Sequence, residues 1–366
     1  MKKILQINKF YYPKIGGVER IVYQIGEELN KDSDFLVDVL CCGKRGGIEK
    51  VNQTKVWRAK TLWNFLGMPL SFDFLKTFRK IRNNYQILDF HQPFPLADFA
   101  LFLFPARAKI VVHYHSDIVR QRFFKIFVEP FILNTLKKAE KIIVSNPNLV
   151  KTSPTLRKFQ EKCVVIPFGV EISKFQNVDI KAVEKIRKRY GKFVLFVGRL
   201  SYYKGVEYLI RAMKDIPANL LIIGEGQESN KLKNLVKKLK VAERVFFLPF
   251  QPEEKLIQFY HACSVFVLPS IYRSEAFGIV LIEAMACGKP VISTEIGTGT
   301  SWVNQHKKTG LVVKPKDVTG LKRAIKEILG NQKIRQEYGR NALERAKEFF
   351  SLRGMIAKTK EIYWYL

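Results

Sequence analysis

Short apolar runs alternate with amphipathic, lysine-rich segments along the whole chain. That rhythm predicts repeated βα units feeding a parallel sheet, because strands covered on both faces read as unbroken apolar runs. In the first half the pattern predicts strands at 3–7, 37–41, 87–91, 110–115, 141–145 and 164–167. In the second half it predicts strands at 193–198, 219–224, 245–249, 265–269, 291–294 and 311–313. Two sets of six strands, each with its own helices, predict an α/β chain of two doubly wound, Rossmann-like domains rather than one barrel.

The rhythm pauses at Phe168-Gly169-Val170-Glu171, and a charged helix over 180–190 then leads into a fresh strand. The expected domains are therefore 1–170 and 171–349. A last helix over 334–366, rich in Arg, Lys and aromatic residues, is expected to pack its end (350–366) back on the first domain. Ligands of open α/β sheets bind at the carboxyl ends of the strands. Two such domains are expected to face one another across a central cleft, where small-molecule sites concentrate.

Composition narrows the partners. The 366 residues, 47% of them hydrophobic, suffice for two domains with sizeable cores. Lys and Arg number 63 against 33 Asp and Glu, a net charge of +30. An excess that large seeks polyanions: nucleic acid, anionic lipid or phosphorylated ligands. Cys41, Cys42, Cys163, Cys263 and Cys287 form no CxxC pair and read as reduced cytosolic thiols, not as a disulfide framework or zinc site. The start, Met1-Lys2-Lys3-Ile4-Leu5, lacks the long apolar region of a signal peptide and reads as a buried first strand. No run approaches the ~18 apolar residues of a spanning helix.

The most informative segment is Ser274-Glu275-Ala276-Phe277-Gly278-Ile279-Val280-Leu281-Ile282-Glu283, which opens a helix expected to run from Phe277 to Ala286. The first amides of that helix, on Phe277, Gly278 and Ile279, would lack intrahelical partners and form a natural phosphate site. Glu283 falls on the apolar stripe of the helix, where an ionised side chain is costly unless it meets a hydroxyl or a cation. Glu275 and Glu283 can thus bracket a bound sugar nucleotide; the plainer reading is a capping acid and a solvated helix glutamate. In Gly198-Arg199-Leu200-Ser201-Tyr202-Tyr203-Lys204 a strand delivers Arg199 to its carboxyl end and Lys204 follows. A guanidinium beside an ammonium suits a departing diphosphate, although two surface cations would give the same string. Gly16 and Gly17 follow the first strand, where paired glycines admit a phosphate or sugar, or merely turn the chain. His113 and His115 end another strand and alternate to one side; each reads as a sugar-contacting or proton-shuttling group, or as a loop-holding one, with Asp117 as support. His91 reads as structural. Gly224, at a glycine turn after a strand, and the loop Gly297–Ser301 are candidate pocket walls.

Taken together, these motifs resemble the GT4-type family of retaining glycosyltransferases with the GT-B fold, over nearly the whole chain and most strongly over 198–310. Glu275 and Glu283 match its E-x7-E motif, and Arg199 with Lys204 its Arg/Lys pair. The resemblance implies that Glu275 meets the hydroxyls of the transferred sugar and Glu283 the nucleotide ribose. It assigns the amides of Phe277, Gly278 and Ile279, with the Gly16-Gly17 loop, to the donor diphosphate. Gly224 becomes a nucleotide contact, and His115, the preferred histidine, lies near the reacting centre. Glu275 orients the sugar rather than forming an adduct, while Arg199 and Lys204 stabilise the leaving diphosphate. The run His113–Asp117, with Ser145-Asn146-Pro147-Asn148 and Ile166-Pro167-Phe168-Gly169-Val170, looks like enzymes of O-antigen and capsule assembly, which favours mannose from GDP-mannose.

Absences agree. No G-x-x-x-x-G-K-[ST] stands in the chain, no G-x-G-x-x-G follows the first strand, and neither G-x-S-x-G nor a DxD pair placed for a metal appears. Arg199, Lys204 and helix N-termini can replace a metal, so the expectation is no cofactor and no metal, with a nucleotide-sugar as co-substrate. Aromatics interleave with basic residues over 55–82 (Trp57, Trp63, Phe65, Phe72, Phe74, Phe78) and 120–138 (Phe123, Phe124, Phe127, Phe131). Such stretches suit helices lying in an anionic membrane interface, or core aromatics beside a solvated basic face. The membrane reading gives a cytoplasmic protein peripheral on the inner face of the cell membrane, with a lipid-linked saccharide or glycolipid as acceptor. Two alternatives are a non-hydrolysing sugar-nucleotide epimerase of the same fold and a basic nucleic-acid binder. The latter is disfavoured because the charge is spread over both halves and no nucleic-acid motif appears.

Overall fold

The computed structural model describes residues 1–14, 16–65, 68–118 and 122–366, and their side chains except those of Phe65 and 122–125. The chain divides into two compact units, Met1–Pro167 with Met355–Leu366, and Phe168–Gly354. The division falls after Pro167, three residues before the one expected.

The first unit contains β1 (Lys2–Ile7), β2 (Phe35–Gly43), β3 (Gly47–Val51), β4 (Thr54–Lys60), β5 (Trp63–Phe65), β6 (Met68–Leu70), β7 (Ile87–Gln92), β8 (Lys109–Tyr114), β9 (Ala139–Val144) and β10 (Cys163–Val165). Eight of them form one sheet in the order β10-β9-β8-β7-β1-β2-β4-β3. Only β3 runs antiparallel to its neighbour there, and β5 pairs with β6 as a separate hairpin. β7 is buried at every position, as a parallel strand covered by helices on both faces must be. Its register with β8 sets His91 opposite His113 and Gln92 opposite Tyr114.

The second unit contains β11 (Phe193–Val197), β12 (Asn219–Ile223), β13 (Val245–Leu248), β14 (Val265–Leu268), β15 (Val291–Thr294) and β16 (Gly310–Val313). They form a parallel sheet in the order β13-β12-β11-β14-β15-β16. Each expected strand is present. β3 to β6 were not foreseen, because in β3 and β4 lysines and exposed positions interrupt the apolar pattern.

Two expectations are corrected. The stretch 55–82 is not an interfacial helix: it holds β4, the β5–β6 hairpin and the helix Phe72–Ile81. Phe74 and Phe78 of that helix are fully buried. Phe74 meets Phe94 edge-on at 5.1 Å between centroids, and Phe78 meets Phe90 at 6.3 Å. Within 120–138 the helix is Arg122–Lys138. Arg120 lies outside the described residues, as do the side chains of Phe65, Phe123 and Phe124. The expected last helix is two, Gln332–Phe349 and Leu352–Tyr365. They are parted because Val170 donates to the Phe350 carbonyl and accepts from the Leu352 amide. The second of the two joins the first unit, where Lys2 Nζ donates to the Tyr363 carbonyl at 2.9 Å and Lys360 pairs with Asp32.

Candidate active site

In the second unit, Lys204 and Glu275 come together. Lys204 Nζ lies 2.5 Å from Glu275 Oε2, and each side chain is only 10% exposed. Ser270 Oγ donates to the same carboxylate oxygen at 3.1 Å. The two loops are clamped to one another: the Ile271 amide donates to the Tyr203 carbonyl at 2.8 Å. Gly205 makes this possible, since at φ +65° a Cβ there would sit 2.1 Å from the Pro269 carbonyl oxygen. Burial opposes the charge on Lys204, but the Glu275 carboxylate and Tyr203 outweigh it and hold the ammonium above the ordinary lysine range. Lys204 therefore carries its charge at neutral pH.

Arg199 follows β11 and is exposed. Its charge bears on Lys204, yet among the described residues nothing accepts a hydrogen bond from its guanidinium. The turn that presents it depends on Gly224, whose backbone presses against Gly198; a Cβ at Gly224 would fall 2.3 Å from the Gly198 carbonyl oxygen.

The helix after Glu275 is Ile279–Ala286, two residues shorter at its start than expected, with Gly278 left-handed at φ +83° as its cap. Among the described residues no backbone carbonyl accepts from the amides of Phe277, Gly278 or Ile279. The Phe277 ring belongs to the core, 4.9 Å from Phe168 and 6.0 Å from Phe350 between centroids, so only its backbone is free for a ligand. The Glu275 carbonyl accepts from Thr298 Oγ1 at 2.7 Å, and the Gly299 amide donates to the Ala276 carbonyl at 2.9 Å. The 297–301 loop thus braces the glutamate loop. Glu283 is buried, and its Oε2 accepts from Tyr260 Oη at 2.8 Å. Tyr260 had no signal in the sequence beyond a helical apolar stripe.

In the first unit, Gly16 caps the helix Gly17–Leu29. The Glu19 carboxylate folds back over this end, 2.3 Å from where a Gly16 Cβ would lie. Half-buried Lys9 is nearby; burial lowers its pKa, against the pull of Glu19. Ile15 of the same loop lies outside the described residues.

His115 is buried immediately past β8. It belongs to a stack: His91 and His113 are parallel at 4.6 Å, and His91 and His115 lie at 5.2 Å. His91 Nδ1 is 2.9 Å from His115 Nε2. Burial, then the charges of His91 and His113, push His115 well below the ordinary histidine range, so it is neutral at pH 7. Under the stack lies Asp89, entirely buried, with His113 Nδ1 2.8 Å from its Oδ1. Burial works against its charge, but His113 and His91 outweigh that and hold its carboxyl far below the usual range. Asp89 was missed because a single carboxylate in a buried strand gives no periodic signal; its D-x-H spacing to His91 was the available clue. Asp117 accepts from Tyr114 Oη at 2.8 Å and Ser153 Oγ at 2.5 Å, bracing the loop rather than the stack.

Asp89, His91 and His113 offer ligand atoms within 4.8 Å of one another, a spacing a metal ion could use. In this structure the carboxylate instead takes hydrogen bonds from His113 and from Tyr363 Oη, the latter at 2.5 Å.

Residues 179–345 match the family described as glycosyl transferases group 1, and residues 15–174 match glycosyltransferase family 4. The chain belongs to the family-4 glycosyltransferases, and its two Rossmann-like units are those of the GT-B fold. It is 35% identical to the O-antigen chain mannosyltransferase C of Escherichia coli, over 99% of this chain and 98% of that protein. It is 32% identical to the D-rhamnosyltransferase WbpZ of Pseudomonas aeruginosa, over 95% of this chain and 92% of that one. Among solved structures, sucrose-phosphate synthase from Thermosynechococcus elongatus superposes with a TM-score of 0.85 at 24% identity, covering 100% of this chain and 99% of that one. Anabaena HepE in complex with UDP does so at 0.80 and 19% identity, each chain covered in full.

Proposed function

We propose that this glycosyltransferase is a retaining hexosyltransferase that moves mannose from GDP-mannose to a lipid-linked saccharide or glycolipid during surface polysaccharide assembly. The observation that carries the reading is the buried Lys204–Glu275 pair, with Arg199 exposed beside it and making no hydrogen bond among the described residues. Arg199 and Lys204 hold the departing diphosphate, with the amides of Phe277, Gly278 and Ile279, and stabilise the charge it gains. Glu275 has one oxygen bound to Lys204 and Ser270 and turns toward the hydroxyls of the sugar, as an orienting group and not a nucleophile. Glu283, buried beside Tyr260, takes the ribose. The acceptor hydroxyl attacks the face that the diphosphate leaves, its proton passes to a phosphate oxygen, and the configuration is kept. Gly16, Gly17 and Gly224 line the diphosphate and nucleotide, and His115 serves the reacting centre.

Shared stereochemistry supports the choice of sugar. One relative carries the name of a mannosyltransferase, the other of a D-rhamnosyltransferase; D-rhamnose is 6-deoxymannose, so both names point to a manno-configured ring. No metal takes part in the reaction, since two cations and free amides already neutralise the diphosphate. The protein works at the inner face of the membrane, without nucleic acid as partner. Thermal melts with a panel of nucleoside diphosphates, followed by transfer from GDP-mannose in the presence of chelator, test this reading. GDP should raise Tm most and transfer should persist with chelator. Stabilisation by UDP alone would overturn the donor, and loss of transfer on chelation would overturn metal independence.

A further inference from the structure

Glu283 lies inside the helix Ile279–Ala286, where every position from Leu281 to Ala286 is buried. A polar group in such surroundings is costly unless a hydrogen-bond partner meets it. One partner comes from a second helix, Glu253–Ala262: Tyr260, fully buried, donates from its Oη to Glu283 Oε2 at 2.8 Å. The Tyr260 ring has its own support, packing edge-on against Phe266 of β14 at 5.6 Å between centroids. The adjoining residue, His261, is tethered twice. Its carbonyl accepts from Arg187 Nη2 at 2.8 Å, and its Nε2 lies 2.7 Å from the Phe175 carbonyl oxygen. The hydroxyl is therefore delivered to Glu283 from a fixed turn of helix. Burial, and then the neighbouring Glu283, push that hydroxyl well above the ordinary tyrosine range, so it keeps its proton and donates at neutral pH.

We propose that Tyr260 is a positioning residue for donor binding, fixing the orientation in which Glu283 meets the ribose hydroxyls of the nucleotide. The proposal rests on the reading of Glu283 as the ribose-binding group. The last side-chain torsion of a glutamate is broad, so the carboxylate plane is set by what its oxygens meet. A carboxylate offers about four acceptor positions, so a bond from Tyr260 leaves capacity for the hydroxyls of a ribose. Tyr260, shut inside the fold, acts through Glu283 and not by touching the nucleotide. Without its hydroxyl the carboxylate turns more freely, and binding the ribose must then freeze that motion. The same cost falls on the ground state and the transition state, so it raises KM for the donor and leaves kcat alone.

The experiment is a chemical double-mutant cycle between the Tyr260 hydroxyl and the ribose hydroxyls. Calorimetry measures Kd for GDP, UDP and their 2′-deoxy and 3′-deoxy counterparts. The proteins are the full-length chain, Tyr260→Phe, Glu283→Gln and Arg187→Ala. Both bases are used, so an error in the donor base leaves the test intact. Tyr260→Phe keeps the ring on Phe266 and removes only the hydroxyl. It should weaken ribonucleotide binding roughly tenfold, as for a lost hydrogen bond to a carboxylate. Binding of the deoxy counterparts should change far less, so the preference for an intact ribose shrinks, as it should in Glu283→Gln. Arg187→Ala loosens the same helix elsewhere and should keep that preference. A full ribose preference in Tyr260→Phe, or its loss in Arg187→Ala, overturns the proposal even where Glu283→Gln loses it. A full preference in Glu283→Gln, or a natural protein that binds neither diphosphate, instead overturns the reading of Glu283, and the role of Tyr260 falls with it.

Discussion

The ammonium of Lys204 and the carboxylate of Glu275 meet at 2.5 Å, each almost shut off from water. In that setting neither charge is tolerable alone. Removing one partner of a buried pair typically costs ~3–5 kcal/mol, whereas replacing both with apolar groups of like volume is near neutral. Lys204→Met and Glu275→Leu should each lower unfolding stability by about that amount, and the double variant should recover most of the loss. Denaturant titrations of the four proteins measure it; simple additivity of the two losses would contradict the pairing.

Gly205 sets the approach of the loop carrying Lys204 to the loop carrying Glu275. An alanine there places its Cβ 2.1 Å from the Pro269 oxygen at φ +65°, which neither the backbone nor the Ile271–Tyr203 hydrogen bond can absorb. Gly205→Ala should cost about 1–3 kcal/mol and depress transfer through the displaced lysine. Gly330→Ala, in a helix where nothing lies within 4 Å, is the matched control and should lower neither Tm nor kcat/KM.

Asp98 gives a pH prediction. It is fully buried in the helix Pro95–Leu103, and Gln92 Nε2 donates to its Oδ1 at 2.6 Å. Burial, only partly offset by hydrogen bonds from Thr135 and Gln92, raises its pKa to about 7. The folded state therefore holds a proton that the unfolded state gives up near pH 4. Between those two values stability falls as pH rises, and above the folded pKa it levels off. Asp98→Asn should remove this decline. Tm measured from pH 4 to 8 should fall more steeply in the natural protein than in the variant; parallel curves would contradict the assignment.

The surface yields a fourth test. Ile126 and Phe127 in the helix Arg122–Lys138 are 67% and 74% exposed, and Phe102 on the helix packed beside it is 52% exposed. If these side chains enter an anionic membrane interface, flotation with phosphatidylglycerol vesicles should weaken with added salt and be largely lost in Phe127→Glu. Binding indifferent to both changes would remove this surface from the account. No helix among the described residues is long and apolar enough to cross a membrane.

The sequence disclosed what burial writes into it. Strands such as β11 and β14 are apolar throughout because both of their faces are buried, so their positions were readable to within a residue or two. β4 was not, because its alternating exposed positions are filled by lysine and arginine. Lys204 and Glu275 were individually visible as motif residues, but 71 positions of chain separate them, and only folding makes them one ion pair. The contact of Tyr363 with Asp89 was invisible for the same reason, since long-range contacts between buried polar groups leave no local period. The break at Phe350–Ser351 is set by a pairing with Val170, which no helical pattern encodes.

The central claim is that cations beside Glu275 grip a diphosphate, and Arg199 tests it most directly. Its side chain is exposed and makes no hydrogen bond among the described residues, so removing it leaves the fold untouched. In Arg199→Ala, kcat/KM with GDP-mannose should fall roughly 10²- to 10³-fold, as for the loss of one charge-stabilising donor, with Tm within a degree or so of the natural protein. An unchanged kcat/KM in a folded Arg199→Ala protein would contradict the account.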